Sequence, residues 1–205
     1  MGPLQRLREW RIDRMTDRIA RRPHGRKARE TYGGADVHAW AWPVVLAALD
    51  LKPDDRLLDV GCGGGVFLRH AQAETGCSVV GVDHSRAMVR LARPLAVLGE
   101  VEQLPFADGE FTAVSSIVAF FFFQDAPQAL REMHRVLDPE RGRLAIYTTS
   151  PEAKGTMAAP YPLATRGHFY TDDELAELAR DAGFTTVTVT RTDESGWAQL
   201  LAAQP

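Results

Sequence analysis

Two acidic residues flank a cluster of glycines in the first half of the chain. Asp59 lies in an apolar run that leads into glycines at positions 61, 63, 64 and 65, and Asp83 ends a second apolar run that begins at Cys77. Glycine allows a sharp turn and a close approach to a ligand, because it has no Cβ. The segment that follows, Val66 to Ala71, has the pattern of a helix. A strand, a glycine turn and a helix N-terminus together predict a cradle for a nucleotide-type ligand.

The spacing of the glycines limits which nucleotide fits. A P-loop needs Gly-Lys-Ser/Thr after the turn, and no lysine is present there. The dinucleotide fingerprint needs glycine at its first, third and sixth places; Gly61 and Gly63 fit, whereas Val66 occupies the sixth. The carboxylate of Asp59 would repel a pyrophosphate but would tolerate a ligand that carries a cation near the turn. S-adenosylmethionine is such a ligand.

These residues resemble a known family. The stretch from Leu57 to Gly65 is similar to motif I of class I S-adenosylmethionine-dependent methyltransferases. Gly99 to Phe106 resembles the Gly-Asp-Ala-Glu-x-Leu-Pro-Phe signature of the small-molecule, type 11-like members, and Glu132 to Gly142 resembles their Arg-Val-Leu-Lys-Pro-Gly-Gly turn. The resemblance covers about residues 40 to 205. It implies an enzyme that uses S-adenosylmethionine as cofactor and releases S-adenosylhomocysteine.

The predicted cofactor contacts are of two kinds. Asp83 lies twenty residues after Gly63, the interval at which such folds present a carboxylate to the ribose hydroxyls; a helix N-cap ahead of Ser85 is the alternative. By resemblance, Glu100 accepts from the adenine amino group and the backbone N–H of Val101 reaches a ring nitrogen, although the family usually has Asp in place of Glu100. The full predicted set is Asp59, Gly61, Cys62, Gly63, Gly65, Asp83, His84, Glu100 and Val101.

The scaffold expected to position these residues is an α/β fold. We predict a Rossmann-like, doubly wound, seven-stranded sheet that is mostly parallel, with an antiparallel C-terminal hairpin. Phe184 to Thr192 and Gly196 to Ala203 are the predicted hairpin strands, which by resemblance distinguish methyltransferases from dinucleotide dehydrogenases. Thr171 to Glu174 has the sequence of a capping box and opens a helix that Gly183 ends.

The acceptor site is predicted at the end of the fourth strand, where a doubly wound fold places its substrate. Phe120 to Phe123 are four consecutive phenylalanines that cannot all face one core. Some are expected to face the pocket or to be covered by the N-terminal helix, and others to pack in the core. This favours an apolar or aromatic substrate, with helix packing as the alternative role of Trp40 and Trp42. The predicted substrate contacts are Tyr32, Trp40, Trp42, Phe120, Phe123 and Tyr170.

The reaction implied by the resemblance is an in-line displacement on the sulfonium methyl group. A positioned nucleophile and a dry pocket supply most of its acceleration. A general base is needed only for a weakly acidic acceptor such as a hydroxyl. His38 and His168 are the candidates, because histidine titrates near neutrality, and a loop or surface role is the alternative for each. Cys62 and Cys77 have no metal-ligand spacing, so no metal is predicted.

Composition and charge indicate how the chain is divided. With 205 residues and 45% apolar content, one globular domain is expected. The sequence contains no run of about 18 apolar residues and no apolar h-region of a secretory signal, so we expect a cytoplasmic location. Positions 1–30 hold ten basic and four acidic residues, whereas the remainder holds 14 basic and 23 acidic ones. We predict a basic N-terminal helix and hinge at residues 1–36 and the methyltransferase domain at residues 37–205.

Three hypotheses for the function follow. The first is a methyltransferase that acts on a small-molecule acceptor, as a monomer or homodimer. The second is a cofactor-binding partner or regulatory module without turnover, since the loops are short and no base is obvious. The third is an RNA-directed enzyme that uses the basic N-terminal helix, which could instead be a lid over the pocket or dock on the core. Nucleic acid is not the expected partner, because no Asn/Asp-Pro-Pro-aromatic sequence and no catalytic cysteines are present.

Overall fold

The structure, a computed structural model, describes residues 3–16, 23–26, 30, 38–161 and 163–205. Its strands are β1 (Arg56–Val60), β2 (Ser78–Asp83), β3 (Ala96–Leu98), β4 (Ala113–Ile117), β5 (Arg143–Thr149), β6 (Thr186–Arg191) and β7 (Ala198–Gln204). Its α-helices are α1 (Pro3–Thr16), α2 (Trp42–Leu49), α3 (Val66–Thr75), α4 (Arg86–Ala92), α5 (Ala126–Val136) and α6 (Asp172–Asp181). Short 3₁₀ helices span Ala39–Ala41, Phe120–Phe122, Pro151–Ala153 and Leu163–Thr165.

The seven strands form one sheet in the order β3-β2-β1-β4-β5-β7-β6. The pairs from β3 to β5 are parallel, and β7 runs antiparallel to both β5 and β6. The predicted doubly wound sheet with an antiparallel C-terminal hairpin is therefore confirmed. The strand order reverses between β1 and β4, so the loops that leave the carboxyl ends of these strands diverge and open a crevice.

The core lies on both faces of the sheet. The β1 side chains of Leu57, Leu58 and Val60 are buried, as expected for a central parallel strand covered on both sides. Helix α5 turns one apolar face, including Leu130 and Met133, toward this core. Among the helices of the described residues, none combines the length and the apolar character that crossing a bilayer requires.

The hairpin strands begin later than the sequence predicts, β6 at Thr186 rather than Phe184 and β7 at Ala198 rather than Gly196. Helix α3 begins at Val66, because Gly65 has a φ of +72°, a left-handed conformation outside the helical range. After β4, the chain turns into the 3₁₀ helix Phe120–Phe122, so consecutive phenylalanines point in different directions around its axis. The capping box is confirmed: the Thr171 hydroxyl accepts from the Glu174 N–H at 3.3 Å, and the Glu174 carboxylate accepts from the Thr171 N–H at 2.8 Å.

Arg135 on α5 forms hydrogen bonds with the segment between β3 and β4. Its guanidinium donates to the carbonyl oxygens of Leu104 at 3.1 Å and Phe106 at 2.9 Å, and to the carboxylates of Glu132 and Asp108 at 2.7 Å. These hydrogen bonds satisfy carbonyl groups of an irregular segment that has no strand partner. Arg135 therefore positions the chain that follows the predicted adenine segment, Gly99 to Val101.

Arg135→Ala is expected to lower the free energy of unfolding by about 1–3 kcal/mol, because several charge-assisted hydrogen bonds are lost from a partly buried site. Arg131→Ala, one turn earlier on the same helix, is the control, since among the described residues the exposed Arg131 side chain donates only to Gln128. Urea denaturation of both variants measures the difference. Equal losses in the two variants would show that Arg135 does not stabilise this segment.

Candidate functional site

The glycine turn after β1 has the conformation that its sequence predicts. Gly61, Gly63 and Gly65 have φ values of +77°, +52° and +72°. The N–H groups of Gly61 and Cys62 donate to the carbonyl of Val82 on β2, at 2.9 and 3.1 Å. A Cβ on Gly61 would lie 2.6 Å from the Cβ of Ala119, which follows β4. Glycine is thus required at position 61 both by backbone conformation and by close packing.

Asp83 at the end of β2 connects the glycine turn to helix α4. Its Oδ2 accepts from the Gly63 N–H at 2.9 Å, and its Oδ1 accepts from the Ser85 N–H at 2.8 Å. Ser85 is the N-cap of α4, and its side chain accepts from the Met88 N–H. Each carboxylate oxygen of Asp83 keeps a second lone pair. The carboxylate therefore holds the turn in place and can still accept from a ligand.

Asp59 is a second buried carboxylate beside Asp83. It lies on β1 opposite Gly81 of β2 and Ser115 of β4, and the Ser115 hydroxyl donates to its Oδ1 at 2.7 Å. Burial, together with the nearby charge of Asp83, raises the pKa of Asp59 to about 7, against the lowering effect of the Ser115 hydrogen bond. Burial likewise raises the pKa of Asp83, against the effect of its two backbone hydrogen bonds. A cation placed near these groups would favour their ionised forms.

The contribution of Asp59 to the stability of the unliganded protein is expected to decline as the pH rises from about 4 to 7. Asp59 has a folded pKa of about 7 and an ordinary value of 3.8, so between these values the folded state keeps a proton that the unfolded state has released. This stabilising contribution is complete below the unfolded pKa and is lost as the pH passes the folded pKa. Urea denaturation across this range measures the slope, and Asp59→Asn should reduce it. Parallel curves for the two proteins would contradict the assignment.

One cavity of about 620 Å³ opens at the carboxyl ends of the strands. Eight of the nine predicted cofactor residues line it; the exception is Gly65, which packs against Ala92 of α4. The Glu100 side chain is 65% exposed, and its carboxylate lies 3.8 Å from Nδ1 of His84. Among the residues that the structure describes, no Arg or Lys lines the cavity. The cavity therefore contains carboxylates without the basic side chains that bind phosphate groups.

Three of the predicted acceptor-side residues, His38, Trp42 and Phe123, also line this cavity. The Trp42 ring lies 4.7 Å from the His70 ring, measured between centroids, and is buried. Trp40 is outside the lining: it is 58% exposed, and its ring packs against Tyr147 of β5. The structure thus brings His38, Trp42 and Phe123 together with the predicted cofactor residues.

The remaining predicted residues lie elsewhere. Phe120 is fully buried in the core, in ring contact with Tyr170, and neither residue lines the cavity. His168 is exposed; its backbone N–H donates to the carbonyl of Phe121 at 2.7 Å, and its side chain is not part of the lining. Tyr32 lies outside the described residues.

Several lining residues were not singled out from the sequence. Phe122 and Gln124 come from the segment after β4. Pro23 reaches the cavity from the N-terminal segment, and its carbonyl accepts from the Ser85 hydroxyl at 2.6 Å. Val118 lines the cavity with a φ of +55°, which is rare for a β-branched residue. Of these four residues, only Phe122 had a sequence signal, which is its place in the phenylalanine run. The positive φ of Val118 and the contact of Pro23 with Ser85, 62 residues away, leave no local pattern in the sequence.

The sheet order and the glycine turn together define a methyltransferase-type α/β fold. Comparison with known proteins agrees with this fold class. Residues 58–146 match the family model described as a methyltransferase domain. The chain is 36% identical to the demethylmenaquinone methyltransferase of Thermus thermophilus, over 62% of the chain and 61% of that protein. It is 32% identical to an uncharacterized methyltransferase of Synechocystis sp., over 69% of the chain and 72% of that protein.

Two further similarities are more distant or more partial. The chain is 30% identical to the protein named Probable tRNA methyltransferase 9B of Homo sapiens, over 73% of the chain but only 35% of that protein. The fold matches a methyltransferase solved in complex with the Trm112 methyltransferase activator of Haloferax volcanii, with a TM-score of 0.75 at 21% identity, over 86% of the chain and 93% of that structure. The chain belongs to the class I S-adenosylmethionine-dependent methyltransferases, in the type 11 family. It spans only 61% and 35% of the Thermus and human relatives.

Proposed function

We propose that this protein binds S-adenosylmethionine and transfers its methyl group to a small-molecule acceptor of apolar or aromatic character. The observation that carries the proposal is the pair of buried carboxylates, Asp59 and Asp83, beside a glycine turn in a cavity whose described lining has no Arg or Lys. Buried carboxylates need a compensating cation, and the sulfonium and ammonium groups of this cofactor supply one. The bound cofactor also supplies an activated methyl group.

The cavity fits this cofactor in size and in the placement of its polar groups. Its volume of about 620 Å³ lies within the usual range for small-molecule sites. Asp83, whose carboxylate oxygens each keep a second lone pair, lines the same cavity as the segment Gly99 to Val101. We assign the ribose hydroxyls to Asp83 and the adenine to Glu100 and the N–H of Val101. The glycine turn, including Cys62, lets the backbone approach the ligand.

On the acceptor side, the proposed contacts are aromatic. Trp42, Phe122 and Phe123 line the cavity, and His38 lies with them. In-line displacement depends on holding the nucleophile close to the methyl carbon, and such walls restrict the acceptor to that position. Of the two histidines predicted as bases, we place His38 at the acceptor and assign no contact to His168.

We also propose that residues 1–36 form a segment distinct from the domain at 37–205 and that part of it covers the cavity. The support is Pro23, which is buried, lines the cavity and accepts a hydrogen bond from Ser85. Helix α1 has a different character: the side chains of Leu4, Leu7 and Trp10 are exposed. Docking of the N-terminal helix on the core through these three side chains is therefore not supported.

A second candidate function is methylation of RNA. The support is the set of exposed arginines on α1, together with the relative named as a tRNA methyltransferase. Basic side chains on one helix could contact phosphates, and such binding weakens steeply with salt. The exposed arginines are Arg6, Arg8, Arg11 and Arg14.

The test combines calorimetry with an acceptor panel. S-adenosylmethionine titration measures binding, and release of S-adenosylhomocysteine is then followed with a naphthoquinol, simple phenols and a tRNA transcript. Turnover on a naphthoquinol or phenol supports the proposal. Turnover on tRNA alone, lost when the four arginines of α1 are changed to glutamine, supports the second candidate instead. Tight cofactor binding without turnover on any acceptor would favour a binding module and contradict both.

A further inference from the structure

His38 is held at the cavity wall by aromatic packing. It directly precedes the 3₁₀ helix Ala39–Ala41, and its carbonyl accepts from the Ala41 N–H at 3.0 Å. Its ring meets the Trp40 ring edge to face, with the centroids 6.1 Å apart, and Trp40 in turn packs against Tyr147 on β5. The position of the imidazole is thus tied through Trp40 to the central sheet.

The two ring nitrogens of His38 are in different environments. Nδ1 is fully buried and has no hydrogen-bond partner within the described part of the chain. Burial lowers the pKa of His38 below its ordinary value of 6.5, and no charged group contributes to the shift. The ring is therefore neutral at physiological pH, with one protonated nitrogen and one bare nitrogen. Besides His38, the titratable side chains of the described residues that line the same cavity are Asp59, Cys62, Asp83, His84, Glu100 and Glu102.

The burial of Nδ1 decides which nitrogen carries the proton. A buried N–H without an acceptor is rarer and more costly than a buried lone pair without a donor. The stable tautomer therefore has its proton on Nε2 and its lone pair on Nδ1. To act as a base, Nε2 would have to give up this proton to Nδ1, which would bury an unpaired N–H group.

Resting on the proposed function, we propose that His38 acts as a hydrogen-bond donor, through Nε2–H, to an oxygen of the methyl acceptor, and not as its general base. The acceptor class that this geometry fits is an ionised phenol or enol. Donation from Nε2–H stabilises the oxyanion, and a second lone pair remains for the attack. That pair forms the new bond to the methyl carbon, the carbon–sulfur pair stays on sulfur, and no proton passes to His38. The acceptor has already released its proton to solvent.

The tautomer can be measured without knowing the acceptor. Protein labelled with ¹⁵N-histidine is examined by long-range proton–nitrogen NMR, free and with S-adenosylhomocysteine, and the His38 signals are assigned with His38→Gln. We expect a bare Nδ1 and a protonated Nε2 between about pH 6 and pH 8. A proton on Nδ1, or a doubly protonated ring at pH 7, would overturn the proposal. This result does not depend on turnover, so it separates a failure here from a failure of the proposed function.

Turnover tests the role of the donor. With the phenol or naphthoquinol that reacts, His38→Leu should lose about 10²-fold in kcat/KM, the usual effect of removing an oxyanion donor. His38→Gln, whose amide can donate from a similar position, should keep most of the activity and the same dependence on pH. If both variants lose activity equally and the low-pH limb of the wild-type profile disappears, His38 is a base and the proposal is wrong.

Discussion

Asp83→Ala is expected to weaken S-adenosylmethionine binding by roughly 1–3 kcal/mol, about 5-fold to 150-fold in affinity. The variant leaves the ribose hydroxyls without their acceptor. It also releases the N–H groups of Gly63 and Ser85, which the carboxylate holds at 2.9 and 2.8 Å, so the turn loses its preformed shape. Isothermal calorimetry measures the affinity, and circular dichroism confirms that the variant is folded.

A matched control for this substitution is Asp173→Ala. Asp173 lies in the first turn of α6, is exposed and does not line the cavity. Its removal should leave cofactor affinity unchanged, while any general effect of one lost negative charge appears in both variants. Wild-type affinity in a folded Asp83→Ala protein would remove Asp83 from the cofactor site.

Gly61→Ala is expected to cost roughly 2–5 kcal/mol of folding stability and to abolish measurable cofactor binding. An alanine at a φ of +77° costs about 1–2 kcal/mol in backbone conformation. Its Cβ would also lie 2.6 Å from the Cβ of Ala119, and relieving such overpacking costs a further 1–3 kcal/mol or so. The turn or the segment after β4 must move, and both line the cavity.

Gly196→Ala separates the cost of the backbone conformation from the cost of packing against Ala119. Gly196 has a φ of +69°, similar to that of Gly61, but a Cβ there would meet nothing within 4 Å. This variant should show only the conformational cost and should bind the cofactor normally. Urea denaturation gives the stabilities and calorimetry the affinities. If the two variants are equally stable, packing against Ala119 does not explain the requirement for glycine at position 61.

The parts of the fold that the sequence predicted are those whose signals are local. The capping box at Thr171 needs residues only three positions apart, and the glycine turn needs backbone conformations that few other residues adopt. The antiparallel pairing of β6 with β7 was expected from the resemblance and is confirmed. Gly64 and Gly65 look alike in sequence, and only the packed structure shows that Gly65 takes the left-handed φ of +72° that precedes α3.

The acceptor side of the cavity depends on contacts between distant segments. Four adjacent phenylalanines offer no pattern that tells which will face the cavity; the 3₁₀ helix after β4 places Phe120 in the core and Phe122 along the cavity wall. Val118 takes a positive φ that its side chain disfavours, so only the surrounding structure can hold it there. Trp40 and Trp42, two positions apart, differ in the same way: one contacts Tyr147 outside the cavity and the other lines it.

The sequence by itself therefore determined the sheet and the family, and eight of the nine residues that it predicted as cofactor contacts line one cavity, because glycine conformation and strand-end carboxylates act over short stretches of chain. Only the tertiary structure decided that Asp83 holds the glycine turn through Gly63, that burial raises the pKa of Asp59 to about 7, and that His38 lines the cavity with a buried, unpartnered Nδ1. Each of these depends on which atoms water can reach once strands and loops far apart in the chain are packed together.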